Sequence, residues 1–420
     1  MTQLSGPIVF SSAAGASDTA ASGCGPSTAV NVMVQTSAGS NTATASPTTG
    51  YSAGDIMYIP DASFTGRRYN VITSVTSGSI TFDKNWDDSS FGTSGYVGGK
   101  RATLQNSLEL FSDDLGTHMV VELESDQTLT STIAFVSNTG RAGLVVRSSE
   151  AGTKRTITQT SDSTDLFTHD TGWNTPDNIT FQDIKFLNTA SVKGRCCYQP
   201  AQNGHAHLVF YRCQVGATGS GFTDGYRNAN YSGGGAIETS FIDCDKGFNF
   251  HNASRESLIQ NCYFKDCDYG WYHRTTVAHK PVIINSVFDS CTTAAVRFDM
   301  NQFKNVWATQ LFSGSIFYNN AIAIDIGAYD EQCRVIFTDL LFEGNTTAIN
   351  GVAGTKISLS RTGFYGNTTN IHSNVTVDQN YAPLNLNASS LVDPANGDMN
   401  INNSYGGGAT LRSTKYTLGG

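Results

Sequence analysis

A single phenylalanine recurs along the C-terminal half of the chain, at Phe241, Phe264, Phe288, Phe317, Phe342 and Phe364, at intervals of 23, 24, 29, 25 and 22 residues. A self-similar period of this length marks a solenoid, in which each repeat buries its apolar side only by stacking on its neighbours. A β-propeller blade needs a longer repeat, roughly 40 residues or more. Two earlier coils, anchored on Phe186 and Val215, follow the same pattern more loosely.

The columns around the anchor have a physical reading. Equivalent residues of successive coils lie about 4.8 Å apart, the spacing of neighbouring strands, so like stacks on like. Three residues after the anchor stand Cys244, Cys267, Cys291, Asn320, Asn345 and Asn367, a turn position where stacked amides bond along the pile and a thiol fits as a small buried group. We expect these cysteines to be free thiols, because vertically adjacent strand positions rarely suit disulfide geometry. Six residues after come Gly247, Gly270, Ala294, Ala323, Ala348 and Asn370, and seven after come Phe248, Trp271, Ala295, Ile324, Ile349 and Ile371. Two before, from Ile184 through Cys213, Thr239, Cys262, Ser286, Ser315 and Leu340 to Thr362, residues are small or apolar and read as inward. Three before, Asp183, Arg212, Glu238, Asn261, Asn285, Gly314, Asp339 and Arg361 read as outward by strand alternation.

Composition agrees. Of 420 residues 42 are Gly, only 15% are charged, and Ser, Thr and Asn crowd most segments, a mixture that suits turns and strands better than helices. The predicted class is all-β: a right-handed single-stranded parallel β-helix over 116–382, preceded by a small β-barrel or meander over 51–115. An extended Ser/Ala/Gly-rich arm occupies 1–50, and a C-terminal tail or cap 383–420. The net charge of −9 argues against nucleic acid as a partner, since phosphate binding needs basic patches. No apolar run approaches the ~18 residues of a membrane helix, so membrane insertion is not expected. Nine cysteines without a CxxC spacing, and no basic and apolar leader at Met1, predict synthesis in a reducing cytoplasm.

Several motifs carry a family resemblance: Ser17-Asp-Thr-Ala-Ala-Ser-Gly-Cys-Gly-Pro26, the module around Gly54-Asp55, Gly98-Gly-Lys-Arg-Ala-Thr-Leu104, and the closing Gly397-Asp398, Asn402-Asn403, Gly406-Gly-Gly-Ala409 and Leu411-Arg412. Together with the pectate-lyase-like solenoid they resemble β-helical virion proteins of tailed bacteriophages. That resemblance implies a virion component, usually trimeric, placed as a tail spike, a tail fibre or a head-surface (capsid decoration) protein.

Chemistry is sparse. Gly50-Tyr-Ser-Ala-Gly54 matches a nucleophile elbow but lacks the strand–helix setting that elbow needs. His205-Ala-His207 lacks nearby acidic or cysteine partners, so neither a metal site nor a cofactor is expected. An enzyme reading, polysaccharide hydrolase or lyase, has paired outward carboxylates as its natural form. Its fallback catalytic candidates are Asp224, Glu238 and Asp268, among outward carboxylates that include Asp243, Asp266 and Asp289, with Trp271, Tyr272, His273 and Arg274 as a sugar-binding cluster. No polygalacturonase or pectate-lyase signature accompanies them, so no catalytic residue is assigned.

One outward column is apolar. Just before the anchors it runs Tyr263, Val287, Ile316 and Leu341, and just after them stand Tyr318 and Tyr365. A contiguous apolar column needs an occupant: a loop, the C-terminal tail, or another copy in a homotrimer. The favoured expectation is the third, in a non-enzymatic structural protein that docks to another virion protein, capsid or tail, through its N-terminal part. The alternative is a tailspike that binds or depolymerises a host surface glycan.

Overall fold

The computed structural model describes residues 8–12, 31–36, 39–46, 53, 56–58, 69–83, 85, 91–97, 100–101, 103–104, 119–135, 143–150, 152–169, 178–200, 207–229, 233–251, 256–274, 280–299, 309–328, 334–381 and 384–402. The nucleophile-elbow match, His205, Cys24, Cys333, the Ser17–Pro26 motif and the closing glycine run lie outside these residues, apart from Ala53. The fold is all-β, built on a parallel solenoid of about eight turns. The chain divides into two compact units, one holding 1–127, 135–156 and 172–183, the other 128–134, 157–171 and 184–420.

In the first unit six antiparallel strands close a barrel in the order Asn31–Thr36, Thr42–Ser46, Ser79–Phe82, Tyr69–Thr76, Ile56–Tyr58, Phe91–Val97. Its interior includes Ala43, Ile72, Ile80 and Phe82, and Gly78 turns one hairpin at φ +85°. Two of these strands come from the stretch assigned by composition to an extended arm. The Asn31–Thr36 and Thr42–Ser46 pair is an antiparallel hairpin, and its Thr and Val residues favour strands even where small residues dominate. The earliest described segment, Ile8–Ser12, is likewise a strand, parallel to Met119–Leu123, which continues through Leu144–Ser148 to Asn178–Gln182. The described parts of 1–50 thus belong to sheets.

In the second unit each coil crosses three parallel faces. The coil of Phe241 shows the plan: Gly234–Ile237 on the first face, Ser240–Ile242 on the second and Lys246–His251 on the third. The anchors occupy the centre of the second face and stack ring on ring from Phe241 to Phe364, with centroids 4.7–5.2 Å apart and planes within 15°. The strand spacing imposes this parallel pile. Each fully buried ring contributes about 2–3 kcal/mol of apolar burial.

Beside the rings runs the amide ladder. The Asn345 Oδ1 accepts from the backbone N–H and the Nδ2 of Asn320, at 2.9 Å each, and Asn367 Oδ1 does the same for Asn345. Each Nδ2 also donates to an anchor carbonyl one coil back: Asn320 to Phe288, Asn345 to Phe317, Asn367 to Phe342. Cys291 N–H donates to Asn320 Oδ1, where thiols take over the column. Cys244, Cys267 and Cys291 are buried free thiols. Burial pushes the Cys291 thiol far up, and burial lifts the Cys262 thiol to about 12.

Two column readings need correction. The residues three before the anchor are not strand residues facing out. All eight, from Asp183 to Arg361, adopt φ between +45° and +64°, the left-handed corner joining the first and second faces. Two after the anchor a second left-handed corner recurs at Asp243, Asp266, Ser290, Asn319, Gly344 and Gly366. Asn, Asp and Gly fit because they pay least for that conformation. The small-residue column also slips by one in the coil of Phe288. The register pairs Tyr269 with Ala294 and Trp271 with Val296, so Ala295 stands opposite Gly270, and one extra residue lies between Cys291 and Ala294. The residues two before the anchor are inward, and Ile184, Cys213, Thr239, Cys262, Ser286, Ser315, Leu340 and Thr362 are all buried.

Two stability predictions follow from ladder and corner. Asn345→Leu removes the acceptor shared by the Asn320 backbone N–H and Nδ2 and the donor to the Phe317 carbonyl, and should lower the unfolding free energy by about 3 kcal/mol or more. Asn345→Cys, copying the thiol rungs, should cost less in the same urea titration. At the exposed left-handed Glu238, Glu238→Gly should be more stable than Glu238→Val by about 1–2 kcal/mol, read from thermal or urea melts.

Candidate functional site

The third face carries a register-aligned outward column. Tyr198 pairs with Arg227, Arg227 with Asn249, Asn249 with Tyr272, Tyr272 with Arg297, Arg297 with Asp325, and Asp325 with Asn350. Strand alternation holds every one of these side chains on the outside while Phe248, Trp271, Val296 and Ile324 fill the core.

The two halves of this column differ. In the upper half Asp325 receives a hydrogen bond from Arg297 Nη1 at 3.0 Å and another from Asn350 Nδ2 at 2.8 Å. In the lower half Asn249 Nδ2 donates to Asp224 Oδ1 at 2.7 Å, but Asn249 Oδ1 and Arg227 Nε, both shielded from solvent, have no hydrogen-bond partner. Tyr198 is fixed from one side by Arg195, whose guanidinium lies 3.6 Å from the ring centre. A two-pronged pair with Asp165, 2.8 and 2.7 Å, holds that guanidinium. Lys246 stands 5.7 Å from the Tyr272 ring and Tyr269 meets that ring edge-on at 5.1 Å.

The fallback catalytic candidates do not converge. Asp224, expected to face out, is buried at the start of its third-face strand. Burial raises its carboxyl, an effect opposed by the Asn249 hydrogen bond and by the charges of Lys246, Arg227 and Arg195. Glu238 is exposed at the corner between first and second faces, whereas Asp268, also exposed, stands at the corner before the third face and accepts the Thr292 hydroxyl at 2.6 Å. Different corners of the coil cannot bring Glu238 and Asp268 to one glycosidic bond. Asp243 accepts from Gly219 N–H, and Asp289 is buried under Tyr263 and Ser290 hydroxyls at 2.6 and 2.7 Å. The proposed aromatic cluster also splits. Trp271 and His273 point into the core, stacked 5.0 Å apart, and only Tyr272 and Arg274 face outward. Strand parity, applied to those four residues, would have separated them. Among the described residues no group of three or more His, Cys, Asp and Glu side chains is placed to hold a metal ion.

The apolar column on the second face is covered by the chain itself. Leu384–Asn385 adds a parallel strand beside Gly363–Tyr365, and an antiparallel hairpin follows, Leu391–Asp393 with Asp398–Ile401. Leu384, Leu391, Leu386, Met399 and Ile401 pack on Ile316, Leu341, Val287 and Tyr318. Ile316 and Leu341 are thereby buried within one chain, and the expectation that they face a second copy is corrected. Tyr263 and Tyr365 remain half-buried. A groove of about 780 Å³ is left between Tyr263, Val287 and Ile316 and the hairpin tip Asn396–Asn400. The tail is held at Glu343, whose carboxylate accepts the Ser389 hydroxyl and, at 3.1 Å, the Ser390 N–H. No sequence signal marks Glu343, because its role depends on a segment 46 residues further on.

No protein-family model and no curated protein matches this chain. Among solved structures it is similar to ORF18 of Geobacillus virus E2, at 15% identity and a TM-score of 0.43, over 67% of this chain and 56% of that one. It is also similar to the tailspike gp49 of Pseudomonas phage LKA1, at 11% identity and a TM-score of 0.26, over 86% of this chain and 67% of that one. A third is the Gp54 tailspike of Acinetobacter baumannii bacteriophage AP22, solved with a capsular saccharide, at 10% identity and a TM-score of 0.26, over 90% and 69%. The chain spans 56% of the length of ORF18. Likeness at this level concerns the solenoid fold and transfers no residue role.

The Glu343 latch makes a prediction. Burial raises this carboxyl above its ordinary value of 4.5, against the smaller downward pull of the Ser389 and Ser390 hydrogen bonds. A group bound more tightly to its proton when folded adds stability below its unfolded value and loses it as pH rises through the folded one. Tail docking should therefore be tighter at pH 4 than at pH 7. Glu343→Gln, which can still accept from Ser390 and donate to Ser389, should remove that dependence. Hydrogen exchange of the 391–401 amides at the two pH values measures it.

Proposed function

We propose that this chain is a bacteriophage virion protein that holds a host surface polysaccharide against the third face of its solenoid, without cleaving it. The observation that carries this reading is the run Tyr198, Arg227, Asn249, Tyr272. It places two outward phenol rings and a set of polar atoms on consecutive rungs, and part of that set is left unsatisfied by the protein. An orphaned buried donor or acceptor costs about 1–3 kcal/mol, and a glycan's hydroxyls can repay it while its C–H faces lie on aromatic rings. The scattered carboxylates support binding over hydrolysis. The bacteriophage assignment rests on the sequence motifs and the solenoid, in keeping with the phage proteins it is similar to.

In this reading the protein is virion-bound and works as a homotrimer, docked to another virion protein through its N-terminal part. With the second face covered by the tail, the surface suited to side-by-side packing is the first face. Its outward positions Val209, Leu258, Val282, Ile284 and Ile336 form an uncharged patch, dented by a groove of about 460 Å³ at Gly234 and Gly235. Such a patch on a chain of net charge −9 is the kind that self-associates.

Two measurements check this. In a panel of bacterial capsular and exopolysaccharides the protein should co-sediment with at least one, without releasing new reducing ends or unsaturated products. Sustained depolymerisation lost in Asp224→Asn or Glu238→Gln would replace binding by catalysis. Light scattering should give three times the 44.9 kDa chain mass, falling to one in Leu258→Asp/Val282→Asp. A wild-type monomer removes the trimer.

A further inference from the structure

Resting on the polysaccharide reading, we infer that the ligand of the third face is an acidic glycan, its carboxylate or another anionic substituent seated at Arg227 and Lys246. The argument is one of charge placement. Cations on this surface are paired wherever the protein supplies an anion: Arg195 is clamped by Asp165, Arg297 by Asp325, and Lys193 lies 3.3 Å from Asp245. Arg227 and Lys246 are different. Among the described residues neither makes an ion pair, although they stand on adjacent coils beside the strip. The one carboxylate near both, Asp224, is buried and already accepts Asn249.

Two cations without an ion pair, Arg227 5.6 Å from the Tyr198 ring and Lys246 5.7 Å from the Tyr272 ring, therefore stand together on a protein whose formal net charge is −9. A neutral sugar would gain little from that arrangement, whereas an anionic substituent would gain charge-assisted hydrogen bonds. The neighbouring atoms complete the fit. Arg227 Nε is a shielded donor with no partner, which a carboxylate can engage together with the terminal nitrogens in a forked pair. One rung further, Asn249 is 5% exposed and its Oδ1 is a partnerless acceptor, suited to a sugar hydroxyl. Tyr198 and Tyr272 bound the site on the rungs before and after. Three strand spacings, about 14 Å, separate them, room for a short oligosaccharide lying along the solenoid axis. Asp224 is turned to Asn249 within the wall, and burial raises its carboxyl.

The test uses the full chain and matched pairs of bacterial polysaccharides: acidic ones, the same samples after chemical reduction of their carboxyl groups, and neutral ones. Binding should be confined to the acidic samples, weaken at least about tenfold on carboxyl reduction or in Arg227→Gln and Lys246→Gln, and fall with added salt. Because the reduced polysaccharides are assayed with the unaltered protein, misfolding of a variant cannot mimic the result. Neutral and reduced samples bound as tightly as acidic ones, or acidic binding unmoved in both variants, would overturn this inference and leave the polysaccharide reading standing. Binding to none of the samples would overturn both.

Discussion

Everything in this molecule depends on the repeat distance between hydrogen-bonded parallel strands. A fixed step of about 4.8 Å is too short for unlike large side chains to sit comfortably above one another, so each position of the coil must choose a residue that tolerates its own copy. Flat rings and planar amides are two such residues. Phenylalanine does so at 4.7–5.2 Å within the core, and asparagine does so with one oxygen that accepts two hydrogen bonds from the rung below. The buried amides are affordable only as a continuous run, because an isolated one would leave its neighbour's groups unpaired.

Residues that obey this stacking rule were legible in the sequence, and those that depend on something else were not. The Phe, Cys and Asn columns could be read directly, since each rung repeats the chemistry of the last. The corner at Arg212, Glu238 and Arg361 could not. Strand alternation predicts an outward side chain there, but the backbone is left-handed and only the Asn, Asp and Gly members of the column hint at it. One extra residue after Cys291 was invisible because Ala294 and Ala295 are both small, so either alignment looks right until hydrogen bonds pair Trp271 with Val296. Burial of Asp224 was missed for a related reason. Alternation fails where the chain bends into the third face, and Asp224, Gly225 and Tyr226 are buried in succession.

The apolar column on the second face shows a further limit. Its existence is a local fact of sequence, and Val287, Ile316 and Leu341 were identifiable as unusual. Its occupant is a non-local fact. Leucines at 384, 386 and 391 supply a covering of matching size, but their destination is set by Glu343, a charged residue in an apolar surrounding that offers two acceptors to the Ser389–Ser390 turn. A carboxylate in that setting costs desolvation and returns it as positional specificity, because only a segment with donors at the right place relieves it.

Contrast between the second and third faces is what separates structure from function here. On the second face the outward polar groups are consumed by the protein: Asp289 by Tyr263 and Ser290, Glu343 by the tail. On the upper third face Asp325 consumes Arg297 and Asn350. The lower third face departs from this economy within a few rungs, where an arginine nitrogen and an asparagine oxygen face adjacent coils without partners and two cations lack counter-ions. Folding alone gives no reason to keep such groups, since burying unpaired polar atoms opposes stability. Such groups also occur elsewhere in the chain, but on these rungs they stand beside outward phenol rings and two cations without an ion pair, which is why we propose that their partner is a ligand.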